Sequence, residues 1–117
     1  MPDLKIFFLG KMKEIIIDEV IYRIGKDARD NTQLIKDSQA SWTWFHLEKF
    51  PSCHVIICKD EPTILEINNA ATLVKTNSKY KFKNIGINYC KIDNLIHGSK
   101  DGSVQFVSNR QVKSIYL

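Results

Sequence analysis

The chain has 117 residues and a net charge of +4, with 44% hydrophobic and 26% charged residues. That length fits one domain, leaves no room for two, and buries enough apolar surface to fold without staples. The composition argues against disorder, and no apolar run approaches a bilayer span, so membrane insertion is not expected.

Residues 5–9 read as a short strand. Ile6 to Leu9 is far too short for the apolar core of a secretory signal, and Gly10-Lys11-Met12-Lys13 follows at once. A cytosolic or nuclear compartment is the default, and cytoplasmic localisation the expectation. Residues 14–24 are rich in Ile and Val around Asp18-Glu19, which fits a hairpin or a bent strand. Gly25 permits a turn. Asp30 or Asn31 then caps a short helix through Lys36, because their side chains accept from a free backbone N–H. Residues 42–47 are β-branched and aromatic, hence a strand. Residues 49–52 connect it to a second strand over 54–58, and the two should pair as a hairpin. Pro62-Thr63 opens the main helix, which should run to about Lys79, with Pro62 in its first turn. Ile64, Ile67, Ala70, Ala71 and Val74 recur at three- and four-residue spacing and line one face of it. Residues 85–91, 104–107 and 112–116 read as strands, separated by 93–102 and 108–110. The expected fold class is α+β. It is an antiparallel-rich sheet of about six strands with one main helix packed on one face, in a single domain over 1–117.

The informative stretches are Gly25 to Leu34, Trp44-Phe45-His46, Pro51 to Val55, Ala70-Ala71 with Ser78-Lys79, and Ile87-Asn88-Tyr89. In this order and spacing they resemble the NFACT-R domain over about residues 20–117. That domain is part of the NFACT proteins of ribosome-associated quality control, and it occurs nearly alone in the coiled-coil domain-containing protein 25 family. Three positions depart from the family pattern: Trp42 stands where an Asp is usual, Ser52 where many members have Gly, and Cys90 where Thr is common. The resemblance implies binding to RNA, with DNA as an alternative, and a place in translation or on the ribosome.

Charge is unevenly spread. Residues 1–74 hold nine Lys or Arg against eleven Asp or Glu, a net −2, while residues 75–117 hold eight against two, a net +6. Such asymmetry suits an anionic partner on one face. Lys75, Lys79, Lys81 and Lys83 gather near the helix end, where cations also suit the helix dipole, so solvated lysines and phosphate contacts are both open readings. Arg23, Lys26 and Arg29 form a second basic group near Gly25. Trp44 and His46 share one strand face and Phe45 the other. Half-buried packing is the plain reading of Trp44, and a base-stacking platform with His46 beside it the functional one. His54 would join that face if the hairpin forms. The expected nucleic-acid contacts are therefore Arg23, Lys26, Arg29, Asn31, Trp44, His46, His54, Lys75, Lys79, Lys81 and Lys83, with Asn31 better suited to capping.

No cofactor, metal or catalytic group is expected. Cys53 and His54 are adjacent, so they point to opposite faces of a strand, which does not suit a tetrahedral zinc site. Three cysteines make a poor disulfide framework and read as buried thiols. RNA, tRNA or ribosomal RNA among it, is the expected partner of a chain that is not an enzyme. The rivals are an adaptor docking on a ribosome or an RNA-modifying enzyme, and more remotely an RNA-processing enzyme using His46 and His54. The sequence leaves the oligomeric state open.

Overall fold

The computed structural model describes residues 3–9 and 12–117, with nine strands and two α-helices among them. In chain order these are β1 (Leu4–Leu9), β2 (Met12–Ile17), β3 (Val20–Ile24), α1 (Ala28–Lys36), β4 (Thr43–Leu47), β5 (Val55–Ile57), α2 (Ile64–Thr76), β6 (Gly86–Lys91), β7 (Leu95–His97), β8 (Val104–Phe106) and β9 (Lys113–Tyr116). Seven strands form one antiparallel sheet in the order β1-β2-β3-β5-β4-β6-β9, and β7 and β8 form a separate hairpin. The α+β class is as expected. The sheet is larger than expected, and 93–102 is more than a connection, since it contains β7.

Alternation along the strands sorts the side chains. Phe45, Leu47, Val55, Ile57, Tyr22 and Ile24 face α2, where Ala70, Ala71 and Val74 let the helix approach closely. Trp44, Ile56 and Cys90 face the other way, onto Leu34 and Ile35 of α1 and the β7–β8 hairpin. The sheet centre is thus covered on both faces rather than one. Asp18 and Glu19 both have positive φ, 48° and 71°, the geometry of a two-residue turn matched to strand twist, so 14–24 is a hairpin.

The helix ends differ from expectation. Asp27, not Asp30 or Asn31, caps α1, its carboxylate accepting from the Asp30 N–H at 2.9 Å. Thr63 caps α2 in a reciprocal arrangement with Glu66, so Pro62 lies outside the first turn and Ile64 is exposed. The helix stops at Thr76 because its last carbonyls find side-chain donors. Ser78 Oγ donates to Lys75 O at 2.9 Å, and Lys81 Nζ to Thr76 O at 2.6 Å.

Asn31 instead joins three elements. Buried on α1, it accepts the His54 N–H through Oδ1 at 3.2 Å. Gly25 N–H in turn donates to His54 O at 3.0 Å. A Cβ on Gly25 would lie 2.0 Å from Asn31 Oδ1, so this turn needs glycine for the carboxamide to fit. Gly25→Ala and Asn31→Ala should each cost about 1–3 kcal/mol, by overpacking and by orphaning a buried donor respectively. The double variant should lose less than the sum, because removing the carboxamide removes the new Cβ's two closest contacts and leaves Asn31 Cα at 3.2 Å. Urea denaturation of the four proteins checks this, and strict additivity would contradict it.

Candidate nucleic-acid interface

The β4–β5 register pairs Trp44 with Ile56 and Phe45 with Val55, and its extension sets His46 across from His54. The two imidazoles meet edge to face with centroids 4.9 Å apart. Trp44 lies parallel to His46 at 5.8 Å and donates through Nε1–H to His54 Nδ1 at 3.1 Å. At 2% exposure, with Phe106 packed 5.7 Å away, the indole has no open face to offer a base. Its place is to support the two histidines.

Those contacts decide where the ring protons sit. His54 Nδ1 accepts, so its proton is on Nε2, and burial, helped by the nearby His46, pushes its pKa down to about 3 against an opposing bond to the Gly102 backbone. His46 Nδ1 lies 2.6 Å from Leu47 O. A carbonyl only accepts, so Nδ1 carries the hydrogen and Nε2 the lone pair. Burial lowers the pKa of His46 as well, partly offset by that bond. Both rings are neutral at pH 7.

His46 and His54 line a cleft of about 430 Å³. Its walls come from Lys26 to Ala28 at the start of α1, Pro51 to Cys53 before β5, Asn77 to Tyr80 after α2, and Asp101-Gly102 in the β7–β8 turn. Gly102 has φ +80°, and a Cβ there would meet Ala28 Cα at 3.0 Å, so a glycine lets this turn close on α1. Through His46, Pro51 and Gly102 the cleft continues into a hollow of about 440 Å³ beside Lys49 and Phe50. Through Lys26, Cys53 and Asn77 it continues into one of about 380 Å³ beside Phe8 and Lys13. The three make one groove across an end of the sheet.

Of the residues singled out in the sequence, Lys26, Asn31, His46, His54 and Lys79 line the central cleft. Asn31 and His54 are buried and committed to internal bonds, whereas Lys26 and Lys79 are exposed. The others are elsewhere. Arg23 is bonded to Glu14 at 2.9 Å and lies 5.5 Å over the Trp42 ring, so Trp42 has a packing role. Lys75 Nζ donates to Leu117 O at 2.8 Å. Lys81 serves the end of α2, and Arg29 and Lys83 are exposed outside the cleft.

Two aromatic residues of the groove were not among the expected contacts, Tyr80 in the central cleft and Phe50 in the adjoining hollow, and Phe82 packs beside them. Phe50 stacks on Tyr80 at 4.4 Å and meets Phe82 at 5.5 Å, and Phe82 is 53% exposed. The signal was present in Lys79-Tyr80-Lys81-Phe82-Lys83, where aromatic and basic residues alternate.

The thiols offer no reactive centre. Burial raises Cys53, Cys58 and Cys90 to about 11, far from the thiolate a nucleophile or metal ligand requires. The Cys53 thiol turns towards Val74 O of α2.

His54 makes stability depend on pH. Its pKa is about 3 when folded and about 6.5 when unfolded, so between those values the unfolded state binds a proton that the folded state refuses. Stability falls as the pH drops through that window, and from pH 7 to pH 5 the loss from this residue is about 2 kcal/mol. Urea denaturation at both pH values should show the loss, and His54→Gln should flatten the dependence. An undiminished slope in the variant would assign the effect elsewhere.

The sequence matches the model of the NFACT protein RNA binding domain over residues 7–108. Among solved structures, the C-terminal part of the fibronectin/fibrinogen-binding protein from Streptococcus suis has a similar fold, with a TM-score of 0.84 at 22% identity. The alignment covers 97% of this chain and 48% of that one, so the protein spans about half of the chain it resembles. No curated protein matches significantly. With a family match over most of its length, the chain belongs to the NFACT RNA-binding domain family.

Proposed function

We propose that this protein is a non-catalytic module that binds RNA in the groove across the sheet end, in the service of translation or ribosome-associated quality control in the cytoplasm. The observation that carries the reading is the convergence of Lys26, His46 and Lys79, from three separate segments, on one cleft. Exposed ammonium groups on the walls suit phosphates, and a neutral imidazole between them suits an uncharged sugar or base edge. Phe82, with Phe50 and Tyr80 behind it, supplies the stacking face that buried Trp44 cannot. His54 is tied to Trp44 and Gly102, which leaves His46 without an acid–base partner. On this reading the groove holds RNA without cleaving it. Transfer RNA and ribosomal RNA are the proposed ligands because of the family's setting.

A second reading, a docking adaptor, is favoured by one feature. The edge strand β1 exposes Leu4, Ile6, Phe7 and Phe8, each by 47% or more. Docking through that strand would be insensitive to salt, whereas phosphate binding weakens steeply with it.

Fluorescence anisotropy with short RNAs across a salt titration separates the two. Each phosphate contact contributes about 0.7–0.9 to the salt slope, so Lys26→Glu with Lys79→Glu should flatten it by about 1.5. Unchanged slope and affinity in a folded variant would remove the cleft from the interface. Phe82→Ala should weaken binding by about 1–3 kcal/mol with little change in melting temperature. Wild-type affinity in that variant would show that the aromatic cluster only packs.

A further inference from the structure

We infer that His46 reads the ribose 2′-hydroxyl, so that the groove distinguishes RNA from DNA at this one atom. The inference rests on the RNA-binding reading and adds the sugar chemistry to it.

The argument starts from the bond between His46 and Leu47 O. Because Nδ1 must donate there, Nε2 presents a lone pair and no hydrogen. Burial holds the ring neutral, so it does not become a two-sided donor near pH 7. Nε2 has no hydrogen-bond partner among the described residues. The ring lines both the central cleft and the adjoining hollow, and its Nδ1 edge is turned to the backbone. A ligand at Nε2 must therefore bring a donor. A phosphate oxygen would set lone pair against lone pair and is excluded from that point.

Lys26 and Lys79 on the same walls call for an anion close by. A nucleotide satisfies both demands through its sugar, since the 2′-hydroxyl is a donor beside the 3′-phosphate. A base amine is the poorer fit. The His54 ring meets the His46 ring edge to face at 4.9 Å and the parallel Trp44 indole, 5.8 Å away, is itself buried, so neither neighbour offers an open platform to hold a base there. The exposed platform is at Phe82 instead. The 2′-hydroxyl is also the group by which proteins in general tell RNA from DNA.

The test uses the intact chain and one short single strand of mixed sequence, about twelve nucleotides long to span such a groove. It is prepared as RNA, as DNA, and as the 2′-fluoro analogue, which keeps an RNA-like sugar pucker but has no donor. Wild-type protein should bind RNA about three- to tenfold tighter than either analogue, the worth of one hydrogen bond. His46→Ala should bind all three alike, at about the wild-type affinity for DNA. Wild-type protein that binds the 2′-fluoro strand as tightly as RNA, or DNA as tightly as RNA, would overturn the inference while leaving nucleic-acid binding intact. So would a folded His46→Ala protein that keeps the preference. Should that variant fail to fold, the comparison on wild-type protein still decides. Binding to none of the three strands would defeat the RNA-binding reading itself, and this inference with it.

Discussion

An indole N–H at the centre of a sheet covered on both faces has to find an acceptor, and Trp44 finds it in His54 Nδ1. Much of the candidate site depends on that bond. It puts the His54 proton on Nε2, in the cleft that Gly102 of the β7–β8 turn also lines. It fixes the indole beside and parallel to His46, whose imidazole is itself held by Leu47 O and lines the cleft. The His54 backbone is meanwhile held by Asn31 and Gly25, which docks α1 at the same place. Three segments far apart in sequence are thus drawn to one histidine, and the cleft is the space left between them.

The lysines divide by the same logic of satisfied groups. Helix α2 ends with carbonyls that need donors, and Lys81 supplies one of them, while Lys75 holds the carbonyl of Leu117. A positive run after a helix therefore overstates the charge available to a ligand. Lys79 escapes these duties and lines the cleft, opposite a Lys26 delivered by the turn into α1. Arg23, spent on Glu14 and Trp42, stabilises the sheet face instead.

Local periodicity made a good part of this legible in the sequence. Alternation across 42–47 and 54–58 was enough to pair β4 with β5 and to bring His46 and His54 to one face. The small residues Ala70 and Ala71 marked the buried side of α2. What escaped was non-local. Alternation does not say whether a sheet is covered once or twice, and Trp44 is buried because α1 and the three-residue strands β7 and β8 close over it. Asn31 looked like a cap because residue type alone cannot tell a helix end from a helix that begins at Ala28 behind Asp27. The Phe50, Tyr80 and Phe82 cluster depends on a contact between segments about thirty residues apart, although the alternation with lysine was in view.

The central claim is that RNA lies in the groove bounded by Lys26, His46 and Lys79. Backbone amide shifts of isotope-labelled protein, followed while a short single-stranded RNA is added, test it most directly. The account predicts that the largest changes fall on Lys26, His46, Ser78, Lys79 and Gly102, with Phe82 next and β1, apart from Phe8 at the groove's end, nearly silent. Changes confined to β1 and β2, or spread evenly over the surface, would contradict it.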